Sequence, residues 1–586
     1  MEIIKIGKIA SREDASEIIN QAIKNAPNGS TIVLETGEYL IKSPIRIESK
    51  KDFVFDGNSS TIMPFFDRTK DENPGSDGFN CKNNQNLTLK NFKLHASQHT
   101  NSAGKVIDVN TEYADVEICA KEPFNGNEMF FSGMAFSPDG RPLRSYWMHQ
   151  QGSESRRGLI AGEIPTTRSI SENVHHEMIG EQTYRIFSPE RLAEFGRKES
   201  DLVPDDATPK ESLLKVGTTV AIIHSIYRVC GFAFRNCHDV LVENVHISNC
   251  GGFVFVILPR CSNFTFRKIK LKTEDFVHQP YPTNADTIHV TGLGGKFLLE
   301  DCYFERPADD IVNIRTQVMV PKEITETSMK VIYNKPLGVV SPDWAKPKDI
   351  LKIYTSDTFL LKGEIEVKTF ENGTVTFDKP DFEITESDRI TNKAYYSDIV
   401  IRNCMARHLR GRFCIQAAKS LLFENNNIDG TSNAVYMTAA FNGYYEAGPT
   451  ENIIIRNNTF YGDNINVKGN NGVVHAWVFA SSEEQQKLFH IHKNITVENN
   501  TFMNTLVPPV YISLTDGVTI KNNKFIDCKT KDNERIIINN CTEILCENNL
   551  EIQGVDYQIC QPVINKVSGV ETDKFSAKFL KDIMKN

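Results

Sequence analysis

Three aspartates in the middle of the chain are spaced so that they could act together on one bond. Asp286 lies in NADTIHV, and Asp309 follows 23 residues later with Asp310 beside it in RPADDIVNIRT. Carboxylates held close together raise one another's pKa, which yields a protonated acid beside an ionised base. Hydrolysis of a glycosidic bond uses such a pair. The cluster therefore predicts catalytic roles for Asp286, Asp309 and Asp310 if the fold brings them together.

A recurring pattern supplies the elements that would do so. An apolar strand, then Asn-rich residues, then one aromatic or aliphatic residue recurs along the chain, as in VLVENVHIS, IIIRNNTF, ITVENNTF and VTIKNNKF. Equivalent asparagines in three successive copies are Asn499, Asn522 and Asn548, and the step between neighbouring copies is often in the low or middle twenties. Such a period indicates stacked repeats. Leucine-rich repeats are excluded because their LxxLxLxxN consensus is absent.

The period favours an all-β fold, a right-handed parallel β-helix. Stacked coils pair their backbones at about 4.8 Å, and paired Asn residues suit tight turns because Asn tolerates left-handed backbone geometry. One coil between Asp286 and Asp309 would stack the carboxylates on one face. Consecutive strand residues point to opposite faces, so Asp309 and Asp310 can share a cleft only at a bend, which Pro307 favours.

We expect the chain to divide into five segments, two of them inserted. These are an N-terminal cap with the first coils (1–104), an inserted β-rich domain (105–225), the catalytic coils (226–316), an inserted β-barrel-like domain (317–396) and further coils (397–586). Residues 14–26 carry one apolar stripe, typical of a helix that covers the open end of a repeat core. The 317–396 segment alternates with period 2, which indicates small antiparallel sheets.

Composition narrows the possible partners. The 586 residues carry a net charge of −9 with no basic run, so neither nucleic acid nor an anionic membrane is an expected partner. The 13 cysteines are scattered singly, and we expect no metal and no other cofactor. The N-terminus lacks the apolar core of a leader, which fits a cytoplasmic protein or the mature fragment of an exported one. A homodimer stays open.

The segment around the aspartates resembles family 110 of the glycoside hydrolases, the α-1,3-galactosidases. That family has an acidic residue before an Ile-His or Phe-His pair and, about one coil later, a DDxxNI motif. Here these are Asp286-Thr-Ile-His289 and Asp309-Asp310-Ile-Val-Asn313-Ile314. The resemblance is specific over 284–316 and 407–450, and it implies a β-helix with β-barrel insertions. It also implies exo-acting release of terminal α-1,3-linked galactose from a carbohydrate substrate.

The resemblance extends to the mechanism. By analogy with related β-helix hydrolases, the reaction inverts the anomeric configuration: Asp309 protonates the leaving oxygen, and Asp286 and Asp310 activate water. An inverting pair is expected to place acid and base about 6.5–9.5 Å apart. The family continues NIHGT where this chain has NIRT, so Arg315 adds a cation that suits an anionic or differently linked sugar.

Seven residues are candidates for substrate binding. Two arginines lie two residues apart in HLRGRF, so both can face one side of a strand and clamp sugar hydroxyls. In YYEAGP the resemblance implies a tyrosine that lines the site and a glutamate that binds a sugar hydroxyl. The histidine three residues after Asp286 should face away from it and pack behind the site. The full set is His289, Asn313, Arg315, Arg410, Arg412, Tyr445 and Glu446.

Two other functions remain open from the residues alone. A polygalacturonase-like hydrolase or a polysaccharide lyase would act on an anionic glycan, and a lyase needs a Lys or Arg base, commonly with Ca²⁺; Arg315 keeps that possibility open. A non-catalytic β-helix that binds glycans would have long uninterrupted repeats. The inserted segments and the clustered aspartates argue against such a binding protein.

Overall fold

The chain forms a right-handed parallel β-helix, in which two long parallel sheets wrap one apolar core. The computed structural model describes residues 2–568 except 11–12, 71–72, 111, 131, 137–139, 141, 149–174, 188–214, 226, 334–339, 431–432, 442–444, 447, 463–471, 479–490, 531–532, 553–558 and 563–565. Within that part, no helix is long and apolar enough to span a membrane. The fold predicted from the repeat is confirmed.

The larger sheet carries two strands from most coils, and its neighbours pair in parallel except at the last strand. Among the described residues, its 23 strands are Ile3–Ile6, Thr31–Leu34, Glu38–Ile41, Lys51–Pro64, Gln85–His95, His238–Asn249, Cys261–Arg267, Lys270–Leu271, Leu293–Glu300, Tyr303–Glu305, Ser397–Arg402, Met405–Arg407, Ala418–Glu424, Asn427–Asp429, Glu451–Arg456, Thr459–Tyr461, His492–Glu498, Thr501–Met503, Thr515–Lys521, Lys524–Ile526, Thr542–Glu547, Leu550–Ile552 and Ile559–Pro562.

The smaller long sheet has one short strand per coil, and it carries the candidate site. In the part of the chain that the structure describes, its 12 strands are Ile45–Glu48, Phe79–Lys82, Phe232–Arg235, Phe255–Ile257, Ile288–Val290, Val312–Ile314, Phe413–Ile415, Val435–Ala439, Val474–Val478, Val510–Ser513, Ile536–Asn539 and Lys566–Ser568. Inward side chains stack from coil to coil: the rings of Phe79, Phe232 and Phe255 lie 4.9 and 4.7 Å apart between successive centroids.

Paired asparagines close the turns as the sequence predicts. The first of each pair has left-handed backbone geometry, with φ of 55° at Asn457 and 56° at Asn499. The second is buried and bonds to its counterpart in the next coil: Asn458 Nδ2 donates to Asn500 Oδ1 at 2.9 Å, and Asn500 Nδ2 donates to Asn523 Oδ1 at 3.1 Å. The ladder satisfies buried amides that would otherwise destabilise the turns.

The first helix is Ser16–Asn25, shorter than the predicted 14–26. Ile19 and Ile23 are buried in the main core, whereas Ile18 is half exposed. The helix follows Ala15 without a side-chain cap; Asp14 Oδ1 instead accepts from the backbone N–H of Ser16 at 3.0 Å.

Antiparallel sheets interrupt the coils in both segments expected to be insertions. A 7-stranded sheet contains Asn101–Val109, Tyr113–Cys119, Ser132–Phe136, Pro142–Met148, His175–Gly180, Thr183–Phe187 and Thr219–Ile223. Later come a 4-stranded sheet (Val320–Lys322, Ser328–Ile332, Thr369–Glu371, Thr374–Thr376), a 3-stranded sheet (Ile350–Tyr354, Leu361–Glu366, Arg389–Asn392) and a short 3₁₀ helix, Lys393–Tyr395. The five-segment division itself stays a prediction.

Candidate active site

Two successive coils of the smaller sheet place the aspartates. Ile288 pairs with Val312, so the strand register stacks Asp286 against Asp310. The 23-residue spacing had suggested Asp309 as the stacked partner. The backbone N–H of Thr287 donates to the Asp310 carbonyl at 2.8 Å. Both aspartates come just before their strands, so their side chains do not have to alternate between the two faces of the sheet. They lie together at the same edge of the sheet.

The bend expected near Pro307 is present, and a glycine that the sequence did not single out permits it. The backbone bends at Ala308 and Asp309 before the strand begins. In the next coil, a Cβ on Gly411 would lie 2.0 Å from the Asp309 carbonyl oxygen and 2.6 Å from the Asp310 Cα. Only a residue without a side chain allows this approach. The signal available in sequence was a glycine placed between the two arginines.

The three carboxylates form a tight cluster with one exposed member. Each offers an oxygen within 4.8 Å of the others. The Asp309 side chain is 42% exposed, whereas those of Asp310 and Asp286 are 10% and 7% exposed. These nearest oxygens are closer than the separation of about 6.5–9.5 Å expected between the carboxyl groups of an inverting acid and base, and a carboxyl separation near about 5 Å would favour a retaining pair. The coil spacing sets a shorter distance because the groups stack along one wall instead of facing each other across a cleft.

Burial and mutual repulsion favour the protonated form of the two inner carboxyls. Burial, and then the charge of Asp309, hold the pKa of Asp286 well above its usual range. Burial raises the pKa of Asp310 to about 8, and the charges of Asp309 and Asp286 add to the shift although Arg412 opposes it. The cluster thus retains a proton near neutral pH beside an exposed carboxylate, which is the pairing that acid and base catalysis requires.

The two predicted arginines both reach the carboxylates. The Arg412 backbone N–H donates to Asp310 Oδ1 at 3.1 Å, and its Nε lies 3.3 Å from the same oxygen. Arg410 Nη1 donates to the Ala308 carbonyl and lies 4.0 Å from Asp309 Oδ1. They hold the Asp309–Asp310 segment and supply positive charge beside it. A metal ion could use the same three carboxylates, but these guanidinium groups already occupy that flank.

His289 and Arg315 lie differently from their predicted positions. His289 Nδ1 lies 2.6 Å from Asp286 Oδ2, so the two residues face each other; the prediction that they point apart is wrong because Asp286 precedes the strand. Arg315 Nη2 lies 3.1 Å from His289 Nε2, and its Nη1 lies 3.7 Å from Glu446 Oε1. The Arg315 side chain is 5% exposed, so it is an interior group and not an open cation of the cleft.

Of the two remaining candidates, Asn313 lies beside the carboxylates, whereas the Tyr445 ring packs against the core beneath the antiparallel strands, with the Arg389 guanidinium 5.5 Å from its centre. Asn313 pairs with His289 in one neighbouring strand and with Cys414 in the other, which places it on the outer face beside the cluster. Tyr445 has a left-handed backbone, with φ of 53°, and its carbonyl accepts from the Val318 N–H at 3.0 Å. This backbone bond ties the loop to the coil.

An aromatic row that the sequence did not reveal continues the same outer face. Tyr436 pairs with Cys414, His475 with Tyr436, and Tyr511 with His475. The Arg412 guanidinium lies 4.4 Å from the centre of the Tyr436 ring. The sequence alone does not show this row, because its members are single aromatic residues in different coils and only the strand register shows that they are neighbours.

The chain is similar in sequence to several curated enzymes at low identity. It is 23% identical over 336 residues to alpha-1,3-galactosidase A of Bacteroides fragilis, covering 55% of this chain and 54% of that protein. It is 22% identical over 590 residues to alpha-1,3-galactosidase B of Bacteroides thetaiotaomicron, covering 93% and 89%. The alignment thus spans about half the length of the first relative and most of the second. No family model matches the chain.

Solved structures with a similar course of the chain are more distant. A family 28 exopolygalacturonase of Yersinia enterocolitica is 10% identical, with a TM-score of 0.36, and covers 95% of this chain and 79% of its own. A polygalacturonase from Erwinia carotovora ssp. carotovora is 10% identical, with a TM-score of 0.37 and 96% coverage of each chain. The chemistry of this protein must therefore be argued from its own residues.

Proposed function

We propose that this protein is a glycoside hydrolase that releases terminal α-linked galactose, in the manner of glycoside hydrolase family 110. The observation that carries the proposal is the three-carboxylate cluster, with one exposed member and two buried members whose pKa is raised. Relatives named alpha-1,3-galactosidase support the choice of sugar and linkage. The substrate is a carbohydrate with a non-reducing α-galactosyl end.

Asp309 is the general acid in this proposal because it is the member that substrate can reach. A sugar bound over Asp309 removes water from its exposed carboxylate and makes that charge costly. The proton retained by the inner pair then moves outward to Asp309, which delivers it to the glycosidic oxygen. The Asp310 carboxylate that remains accepts from the Arg412 N–H and lies beside the Arg412 guanidinium.

Asp286 and Asp310 hold the attacking water in this scheme. Oxygens less than 4.8 Å apart can share one water through two hydrogen bonds of about 2.8 Å each. The water attacks the anomeric carbon while the bond to the leaving oxygen breaks, and its proton passes to the carboxylate pair. Attack from the face opposite the leaving group inverts the configuration. The proposal of inversion rests on this shared water and not on the distance between the carboxylates.

The identity of the acid can be tested with α-galactosyl fluoride, whose leaving group needs no proton. We expect Asp309→Asn to lose hydrolysis of an α-1,3-linked galactobiose by at least about 10³-fold and to keep much of its rate on the fluoride. Asp310→Asn and Asp286→Asn should lose both activities. Activity of Asp309→Asn on the disaccharide, or equal loss on both substrates, would contradict the assignment.

The substrate and the stereochemistry can be read in one product screen. ¹H NMR of a panel of α-1,3-, α-1,4- and α-1,6-galactosides should show β-galactose first, from the α-1,3 linkage. α-Galactose as the first product would establish retention. Oligogalacturonates belong in the same panel: galacturonic acid release would indicate a polygalacturonase-like hydrolase, and an unsaturated, ultraviolet-absorbing product would indicate a lyase. Asp398→Asn, on the larger sheet, is the matched control.

A further inference from the structure

A buried chain of hydrogen bonds leads from an arginine to one of the carboxylates. Arg315 Nη2 meets His289 Nε2 at 3.1 Å, and His289 Nδ1 meets Asp286 Oδ2 at 2.6 Å. All three side chains are less than a tenth exposed. The protein therefore encloses all three side chains. What Arg315 and His289 contribute must pass through Asp286.

The chemistry of the donors fixes where the histidine proton lies. A guanidinium only donates hydrogen bonds, so Nε2 of His289 must accept and carries no proton. The ring proton is then on Nδ1, which donates to Asp286 Oδ2. The imidazole is neutral in this arrangement, because a second ring proton would point at the Arg315 guanidinium. One oxygen of Asp286 is thereby held by His289.

Arg315 is held in this position from two further elements. Its Nη1 donates to the Tyr333 hydroxyl at 3.1 Å, and Tyr333 belongs to the buried core beneath the antiparallel strands after the catalytic coils. Glu446 Oε1 lies 3.7 Å from the same nitrogen, and the Glu446 carbonyl accepts from the Thr316 N–H at 3.1 Å. The guanidinium is thus fixed from three directions, by His289, Tyr333 and Glu446.

The histidine is also fixed through its ring. The Phe253 ring centre lies 4.5 Å from that of His289. The charged groups around the imidazole are Asp286 on one side and Arg315 on the other, with Glu446 behind Arg315 and Asp309 and Asp310 beyond Asp286. Rotation of the ring would break both hydrogen bonds and the contact with Phe253.

We propose that Arg315 is a positioning residue that locks His289 in the Nδ1–H tautomer, and that His289 in turn aims Asp286 at the attacking water. The expected effect on the reaction rate rests on the proposed glycosidase function, whereas the expected tautomer of His289 does not. It also reassigns two expected substrate ligands: Arg315 and His289 act behind the carboxylate. Arg315, the arginine of NIRT, then supports a catalytic carboxylate and gives no indication of the charge of the sugar.

The tautomer can be measured without any activity. In ¹⁵N-histidine NMR of the whole protein, the His289 signals, assigned by their loss in His289→Gln, should show a protonated Nδ1 and an unprotonated Nε2. Arg315→Met should abolish this state, giving the Nε2–H tautomer or the imidazolium, and Arg315→Lys should restore it in part because ammonium also donates. A protonated Nε2 in the unaltered protein would overturn the proposal whatever the substrate proves to be.

Kinetics separate positioning from substrate binding. For Arg315→Met we expect kcat to fall about 10–100-fold with little change in KM, as for loss of a group that supports a catalytic residue. The pH at which the rate falls should also change in this variant. Without Arg315, His289 can take up a proton, and a protonated His289 beside Asp286 favours the ionised form of Asp286. Arg260→Met, which removes another largely buried arginine with an Asp349 partner, controls for general damage. A rise in KM with kcat unchanged would mean that Arg315 binds substrate.

If no galactoside is hydrolysed by the unaltered protein, the proposed function fails while the NMR result still decides the tautomer. If galactosides are hydrolysed and Arg315→Met matches the unaltered enzyme in rate and pH profile, the positioning role fails and the proposed function stands.

Discussion

Replacing Asp310 by Asn separates the stability of the carboxylate cluster from its chemistry. Asn has nearly the same shape, and its Oδ1 can still accept the Arg412 N–H that lies 3.1 Å from the present carboxylate oxygen. It cannot ionise, so it cannot serve as a base. The substitution should abolish hydrolysis and at the same time stabilise the folded protein, because active-site groups are selected for function at the expense of stability.

The size of the gain follows from the pKa of Asp310. Burial raises it to about 8 in the folded protein, from a usual value of 3.8. Between these values the folded protein keeps a proton that the unfolded chain has released, so folding stability is greatest at low pH and falls as pH rises. The slope is about 1.4 kcal/mol per pH unit, and full expression would approach about 5 kcal/mol. Loss of the partly exposed Arg412 pair offsets about 1 kcal/mol.

We therefore expect Asp310→Asn to be more stable than the unaltered protein by about 2–4 kcal/mol at pH 8 and nearly equal to it at pH 4. Urea unfolding at pH 4, 6 and 8, followed by far-ultraviolet circular dichroism, measures the difference. Asp398→Asn is a useful contrast, because hydrogen bonding to Ser420 lowers the pKa of Asp398 and its loss should destabilise at neutral pH. A difference for Asp310→Asn that does not change with pH would refute the reasoning.

Three further outcomes test the site and the fold. Gly411→Ala should lower kcat at least about 10-fold, because its Cβ must push the adjacent aspartate backbone away. Gly180→Ala, whose Cβ meets no atom closer than 3.5 Å, is the control, and unchanged activity of Gly411→Ala would contradict the close approach. Asn458→Ala should cost about 2–4 kcal/mol of stability, since it leaves buried groups of the asparagine ladder unpaired. Asn427 is exposed, so Asn427→Ala should cost little. Equal unfolding midpoints for the two variants would argue against the ladder. Dialysis against EDTA should leave activity unchanged because two arginines flank the carboxylates; restoration by added Ca²⁺ after such dialysis would show a metal requirement.

Several features of the site were within reach of sequence reasoning because they depend on chain-local rules. A recurring period fixes how often the chain returns to the same wall, so the meeting of Asp286 with the Asp309–Asp310 pair follows from spacing. The bend at the pair follows from Pro307. Both conclusions hold in the structure, although the strand register makes Asp310, one position later than the spacing suggested, the stacked partner of Asp286.

Other features depended on where strands begin, which spacing does not reveal. His289 was expected to face away from Asp286 on the assumption that both lie in one strand. The strand begins only at Ile288, and the loop before it turns the carboxylate back toward the ring. Arg315 was expected in the open cleft, but Tyr333 from the core beneath the antiparallel strands and Glu446 from a loop much later in the chain enclose it.

The sequence by itself determined the β-helix, its asparagine turns and the gathering of three carboxylates, because periodicity and residue type act over one or two coils. Tertiary structure alone decided which carboxyls are buried and retain a proton, how closely they approach, and which cation supports them. Burial, dielectric environment and the contacts of Gly411 and Arg315 are made by segments distant in sequence. The protonation of the aspartates, on which their chemistry depends, is therefore a property of the folded protein.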